Sequence, residues 1–197
     1  MPVSSKAAQP ATDPNPRSDA KKAQAVAAAS EPNLPKDPKF QRAKDAIAKG
    51  DYDRALQLFS VDSRHPENLN CRAVCLIRLG RFKQAVDVLR SSVIQSGTLT
   101  VRPEVPDHMA INFAIALFYG GTPSGALDVL DEIRREDDPA VKQLRQATAQ
   151  WVAGMSWLRR LDWRLNRIEP KQGPPVPAHP LGRFCWEERF PHQPTTR

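Results

Sequence analysis

Three stretches of the sequence share one pattern: Gly50-Asp51-Tyr52-Asp53-Arg54-Ala55-Leu56, Gly80-Arg81-Phe82-Lys83-Gln84-Ala85-Val86 and Gly121-Thr122-Pro123-Ser124-Gly125-Ala126-Leu127. In each stretch an alanine follows the glycine by five residues. A second alanine stands seven residues before each glycine, and a large apolar residue stands four residues after the later alanine. These flanking residues are Ala43, Ala73 and Ala114 on the first side, and Phe59, Leu89 and Leu130 on the other. The repetition predicts three copies of one helix–turn–helix unit.

The residue types explain how such a unit forms. Glycine adopts the left-handed backbone conformation that commonly ends a helix, without the steric cost that other residues have. Two alanines, one on each helix, let the helices cross at short distance, because larger side chains would separate the axes. Tyr52 or Phe82 fills the space at the turn, and the large apolar residue fills the space beyond the crossing.

Apolar residues at helical spacing, interrupted by Gly, Pro and Asp, predict an all-α fold. The predicted helices are 39–48, 52–61, 67–79, 82–95, 107–119, 123–136 and 139–168, and the strand-like stretch 98–101 is predicted to be a loop. The last helix carries an apolar stripe that would cover the exposed end of a helical stack. The stripe consists of Leu144, Trp151, Leu158, Leu161, Leu165 and Ile168.

The repeated pattern resembles the tetratricopeptide repeat family, with three degenerate repeats over about residues 37–136. The resemblance implies an α-α superhelix, a TPR-like solenoid, with a long C-terminal capping helix and disordered tails. The glycines are spaced 30 and 41 residues apart instead of the 34 typical of the family, which implies a shortened connection at 61–65 and an inserted loop at 96–106. The third copy also has Pro123 where the family usually has an aromatic residue.

The resemblance also implies a concave groove formed by the first helix of each pair, which would bind a partner peptide or helix. Transferring the groove positions from the turn glycines gives Lys44, Asn70, Val74, Ile77, Arg78, His108, Ile111, Ile115, Phe118 and Tyr119. The alternative is that several of these residues, Val74 and Ile111 among them, pack against a neighbouring helix or against the protein's own tail.

Proline placement divides the 197 residues into three parts. Seven of the 19 prolines lie in 1–38 and seven in 170–197. We therefore expect a disordered Ala/Pro-rich arm at 1–38, one helical domain at 39–168 and a Pro-rich tail at 169–197. The tail contains an aromatic patch at 181–186, too short to fold alone, which we expect to dock on its own domain.

Several function classes lack support in the sequence. No run of 18 apolar residues and no secretory signal is present, and the three cysteines are an odd number, so a reducing cytoplasm is expected. Cys71 and Cys75 are predicted to be packing residues. The histidines show no metal-ligand spacing and no catalytic motif occurs, so we expect no metal, no cofactor and no enzymatic activity.

The net charge of +7 is concentrated at the C-terminal end, where residues 159–197 carry eight basic and four acidic groups. Arg160, Arg164 and Arg167 line one helix face beside Trp163, which would suit nucleic acid, although a solvated face on an exposed helix end is the favoured explanation. The sequence favours a protein-interaction scaffold. A secretion-type chaperone and a nucleic-acid-binding protein are the alternatives, and no membrane partner is predicted.

Overall fold

The computed structural model describes residues 34–59, 63–98, 100–133, 137–167, 169 and 173–187. Within these ranges the chain forms eight helices and no strand, apart from one isolated antiparallel bridge between Ile94 and Val101. The helices are α1 Pro38–Ala48, α2 Tyr52–Leu58, α3 Pro66–Arg78, α4 Phe82–Val93, α5 Asp107–Gly120, α6 Pro123–Glu132, α7 Pro139–Ala153 and α8 Trp157–Asn166. The expected all-α class is therefore confirmed.

The turns between paired helices have the geometry that the repeated pattern predicts. Gly50, Gly80 and Gly121 have φ angles of 76°, 72° and 99°, in the left-handed region where a side chain would be strained. The six alanines of the pattern are at most 1% exposed, and its three large apolar residues are at most 2% exposed. Each unit is thus built as a close crossing of two helices followed by an apolar plug.

Helices that follow one another along the chain pack together from α1 through α7. In addition α3 packs on α5, and α5 on α7, so these three helices lie side by side in one layer. Helix α5 is enclosed by α3, α4, α6 and α7, and for this reason its residues from His108 to Phe118 are all buried.

The predicted single helix over 139–168 is wrong. Helix α7 ends at Ala153, and α8 begins at Trp157 after a break at 154–156. Leu158, Leu161 and Leu165 are exposed, so they do not cover the end of the stack, and Ile168 lies outside the described residues.

Helices α2, α4 and α6 end earlier than predicted because the residues that follow them, Phe59, Ile94 and Ile133, have extended backbones. Most of the predicted N-terminal arm, residues 1–33, lies outside the described residues.

None of the described helices combines the length and apolar character needed to span a bilayer. Among the same residues no group of three or more His, Cys, Asp or Glu side chains is arranged to hold a metal ion.

Candidate functional site

The C-terminal tail lies against the face of the domain formed by α3 and α5. We call residues 181–187 the docked segment. Its Phe184 is fully buried and Cys185 is 4% exposed, so the expectation that this aromatic patch docks on its own domain is confirmed. Residues 181–184 have no regular secondary structure, and a turn closed by the N–H of Glu187 donating to the carbonyl of Phe184 (3.0 Å) ends the segment.

Asn112 of α5 holds the backbone of the docked segment by both of its polar atoms. The Arg183 N–H donates to Asn112 Oδ1 at 2.9 Å, and Asn112 Nδ2 donates to the Arg183 carbonyl at 2.8 Å. The Asn112 amide thus pairs with both main-chain hydrogen-bonding groups of Arg183, the N–H and the C=O. These contacts involve no side chain of the docked segment, so they depend only on its main chain at residue 183.

Buried polar side chains from α3 and α5 position Asn112. Its Nδ2 also donates to Asn70 Oδ1 at 2.8 Å, and Asn70 Nδ2 in turn donates to Glu67 at 3.4 Å. Glu67 and His108 are 3.1 Å apart between Oε1 and Nε2. We call Glu67, Asn70, His108 and Asn112 the polar ladder.

The carboxylate of Glu67 is the charged end of the polar ladder. Burial alone would raise the pKa of Glu67, but the hydrogen bond and charge interaction with His108, with smaller contributions from Cys185 and Asn70, hold this pKa below its usual value of 4.5. The glutamate therefore stays ionised inside the protein, and it orients the amide that contacts the docked segment.

Arg78, at the end of α3, contacts three residues of the docked segment. Its Nη2 donates to both carboxylate oxygens of Glu187, at 2.9 and 3.0 Å, and to the carbonyl of Gly182 at 3.3 Å. Its guanidinium carbon lies 4.6 Å from the ring centre of Phe184. Nη1 donates to the Tyr52 hydroxyl at 3.0 Å, which ties the arginine to the first helix pair.

Opposing effects act on the Arg78 guanidinium. Burial lowers its pKa, but the charge of Glu187 and the Tyr52 hydrogen bond outweigh burial and raise it. The charged guanidinium of Arg78 is therefore held in place by its ion pair with Glu187 and by its cation–π contact with the Phe184 ring.

Two aromatic side chains anchor the end of the docked segment. The rings of Phe184 and Trp186 are stacked with 4.8 Å between centroids and an angle of 3°. The rings of Trp186 and Phe40 of α1 are nearly perpendicular with 6.5 Å between their centroids, and Lys44 Nζ lies 5.2 Å from the centre of the Trp186 ring. The first helix pair thus contributes an aromatic and a cationic contact to the site.

Gly182 allows the docked segment to approach α3 closely. Its φ angle is 76°, and a Cβ atom built on it would lie 3.4 Å from Val74 and 3.5 Å from Ile77. A side chain here would be strained by its backbone conformation, and its Cβ would be in van der Waals contact with α3. Val74 and Ile77 therefore form the floor beneath the segment.

A second ion pair connects the docked segment to α7. Arg183 Nη2 lies 2.8 Å from Asp138 Oδ2, and the other oxygen of Asp138 accepts the Ala140 N–H at the start of α7, also at 2.8 Å. Asp138 is buried, with a side chain that is 6% exposed, so this pair is shielded from solvent more than most surface ion pairs.

An open cavity of about 1770 Å³ lies beside the docked segment, between α5, α7 and residues 173–183. Ile111, Ile115, Phe118 and Tyr119 line it from α5, and Leu144 and Trp151 line it from α7. The rings of Phe118 and Trp151 are nearly perpendicular, with 6.2 Å between their centroids, and Tyr119 is half-buried between Phe118 and Phe82. The lining is apolar at its base and open to solvent on one side.

All three cysteines are free thiols and all are buried. Burial raises the pKa of Cys75 to about 12, and burial together with neighbouring acidic groups raises the pKa of Cys71 and of Cys185. Such thiols are poor nucleophiles while the segment is docked, since the thiolate is the reactive form.

The predicted groove residues fall into two groups. Lys44, Asn70, Val74, Ile77, Arg78 and His108 lie under the docked segment or in the polar ladder, whereas Ile111, Ile115, Phe118 and Tyr119 line the open cavity.

Four residues of the site were not predicted from the sequence: Glu67, Asn112, Asp138 and Glu187. A signal for Asn112 was present, because it stands four residues after His108, on the same face of an otherwise apolar helix.

The predicted basic face on the last helix is only partly formed as expected. Arg160, Arg164 and Arg167 are exposed. Trp163, however, is 5% exposed and packs edge-on against Trp151 at 5.3 Å, so the expectation that it is available to contact another molecule is wrong. A base could not stack on this ring without displacing α8.

No family model, curated protein or solved structure matches the chain. The resemblance to tetratricopeptide repeats therefore rests on the sequence pattern and remains a prediction.

Proposed function

We propose that this chain is a non-catalytic protein-interaction module, a TPR-like helical stack that binds polypeptide segments on the face of α3, α5 and α7. The observation that carries the proposal is the hold of Asn112 on both main-chain groups of Arg183. An amide that binds the main chain suits a site for different segments, because every residue except proline offers the same N–H and C=O pair.

The surroundings of Asn112 add selectivity to this general hold. The space under Arg78 takes an aromatic ring, and the guanidinium pairs with a carboxylate three residues further along the segment. The proposed ligand is therefore a segment with an aromatic residue followed at the third position by an acidic one. The protein's own docked segment has this pattern in Phe184 and Glu187.

The open cavity gives a partner room beyond the docked segment. It continues along α5 and α7, and its apolar lining suits an apolar segment or one face of an amphipathic helix. On this proposal the docked segment is an intramolecular ligand, and a partner competes with it for the face of α3 or binds next to it. A tethered ligand competes with an effective concentration of the order of millimolar, which weakens the apparent affinity of the partner.

A synthetic peptide of residues 179–187, fluorescently labelled, tests the proposal by anisotropy. We expect the full chain carrying Phe184→Ala and Glu187→Lys to have an unseated tail and intact domain side chains, and to bind the peptide about tenfold or more tighter than the wild type does. Adding Asn112→Ala to this chain should weaken peptide binding about thirtyfold, because two hydrogen bonds of about 1 kcal/mol each are lost. A peptide with alanine at both aromatic positions is the matched control.

Absence of peptide binding by the unseated chain, with its helix content intact by circular dichroism, would refute the proposal. Equal binding of the control peptide would refute the assigned selectivity while leaving a general binding face.

A further inference from the structure

A cluster of exposed apolar side chains on α8 is used by none of the contacts described above. Of the five large apolar side chains that are strongly exposed in the described ranges, four lie on this one helix. They are Trp157 (72% exposed), Leu158 (57%), Leu161 (47%) and Leu165 (70%). Single exposed apolar residues are ordinary, but four on a ten-residue helix form a patch that needs a partner.

These four side chains share one face of α8. At about 100° per residue they span an arc of about 100°. Trp163 lies on the opposite side of the helix and is held against Trp151 of α7, with ring centroids 5.3 Å apart. The Trp163 side of α8 therefore packs on the domain, and the apolar arc on the opposite side faces solvent. We call this arc the α8 face.

The α8 face is bordered by positive charge on the side of Trp157 and by Asp162 on the side of Leu158. On the same helical wheel Arg164 adjoins Trp157, and Arg160 lies next to Arg164. Both are exposed, and Arg160 also donates to the carbonyls of Ala153 and Met155, which closes the end of α7. Residues 157–167 contain four arginines and one aspartate, which gives a net charge of +3.

We propose that the α8 face docks on an anionic lipid surface. A helix with Trp and Leu on one side, Arg beside them and no length to span a bilayer is suited to lie in the plane of the interface. Tryptophan favours the headgroup region because its ring is apolar and its N–H is polar. The arginines contact anionic headgroups while their methylene groups lie along the apolar layer.

Charge and area both argue against a second copy of the chain as the occupant. Two α8 faces together would bring two helices of net charge +3 into contact, which electrostatics disfavours. A helix of ten residues is about 15 Å long, and its single face is well below the roughly 800 Å² per partner of a stable interface. A lipid surface needs no matching shape, since each side chain enters it separately.

The proposal concerns a surface contact and not a span, so it departs from the sequence-based expectation of no membrane partner and agrees with the finding that no described helix can span a bilayer. It is also independent of peptide binding, because α8 provides neither the polar ladder nor Arg78.

Vesicle co-sedimentation of the full chain tests the proposal. We expect binding to phosphatidylcholine vesicles containing about one third phosphatidylserine at low salt, and much weaker binding to pure phosphatidylcholine or at high salt. Leu165→Asp should lower the partition coefficient more than tenfold, because it removes one apolar anchor and adds a negative charge. Arg164→Gln should lower it about fivefold on anionic vesicles only.

Asn166→Asp is the matched control, because it makes the same change of charge on the next residue, which lies outside the arc. We expect a loss of about fivefold or less from charge alone. Leu165 and Asn166 are both exposed, so neither change disturbs the core. A blue shift of tryptophan fluorescence on vesicles, lost in Trp157→Phe, would place that ring in the lipid interface.

Three results would overturn the proposal: no binding of the wild type to anionic vesicles at low salt, equal losses for the two aspartate variants, or a wild-type dimer that Leu165→Asp dissociates. The last result would mean that a second copy covers the α8 face.

Discussion

Substitution of Asn112 by alanine should release the docked segment while the helical domain stays folded. The change removes two hydrogen bonds to Arg183, of 2.8 and 2.9 Å. At about 1 kcal/mol net for each bond, the undocked state gains about 2 kcal/mol relative to the docked state. A difference of this size raises the population of the undocked state about thirtyfold.

Thiol labelling measures that population, because Cys185 is 4% exposed when docked and fully accessible when released. Labelling with a maleimide, followed by peptide mapping, gives a rate for each cysteine. When the docked segment rebinds faster than the maleimide reacts, the labelling rate of Cys185 is proportional to the population of the undocked state. This labelling rate should therefore rise about thirtyfold in Asn112→Ala. Cys71 and Cys75 belong to the same buried apolar cluster as Phe184, so circular dichroism, and not their labelling, reports whether the domain itself stays folded.

Thr148→Val is the matched control for loss of a buried hydrogen bond. The Thr148 hydroxyl donates to the Leu144 carbonyl at 2.8 Å within α7 and is not bonded to the docked segment. We expect no change in the rate of Cys185 labelling. If that rate is also unchanged in Asn112→Ala, Asn112 does not hold the tail, and the role assigned to its hydrogen bonds is refuted.

Three further predictions concern charge and backbone. Glu187→Gln should raise Cys185 labelling about threefold, since the carboxylate is partly exposed, and Arg78→Ala should raise it more because its stacking is also lost. The folded-state pKa of Glu67 lies below 4.5, so the stability that Glu67 contributes to the folded state is complete above pH 4.5 and is lost as the pH falls through the folded-state pKa. Glu67→Gln should therefore remove this part of the acid dependence of unfolding. An unchanged acid profile of unfolding in this variant would contradict the prediction. Calorimetry should show that Gly121→Ala, at a position with a φ of 99°, destabilises the folded protein by about 1 kcal/mol. Gly120→Ala is the control and should be neutral, because its Cβ would meet Phe82 at an ordinary 3.6 Å. Equal effects of the two substitutions would contradict the strain assigned to Gly121.

The sequence was sufficient to predict the helix pairs because their determinants are local. A glycine such as Gly80 fixes a turn, and alanines such as Ala73 and Ala85 fix the crossing of the two helices beside it. These features repeat at recognisable spacing, so three units are apparent without any information about distant contacts.

The end of α7 was predicted wrongly because the apolar spacing continues through it. Leu158, Leu161 and Leu165 keep the helical period of Leu144 and Trp151, although a break at 154–156 turns the second group outward. Periodicity identifies one face of a helix, but it does not say whether that face meets the domain or something outside it.

The docked segment was predicted as a stretch, but its contacts could not be. The Arg78–Glu187 pair joins residues 109 positions apart, and Arg183–Asp138 joins residues 45 apart. Such pairs depend on where the fold brings the chain ends, which no local pattern encodes. The polar residues on α3 and α5 were detectable as exceptions in apolar helices, and their partners were not.

Hydrogen exchange at the Arg183 amide tests most directly whether the α3 and α5 face holds a polypeptide backbone. This amide belongs to no helix or strand, and Asn112 Oδ1 is its acceptor at 2.9 Å. The account predicts that it exchanges at least about a hundredfold more slowly than in a free peptide, and about thirtyfold faster in Asn112→Ala than in the wild type. Exchange of the wild-type Arg183 amide at the free-peptide rate would contradict the account.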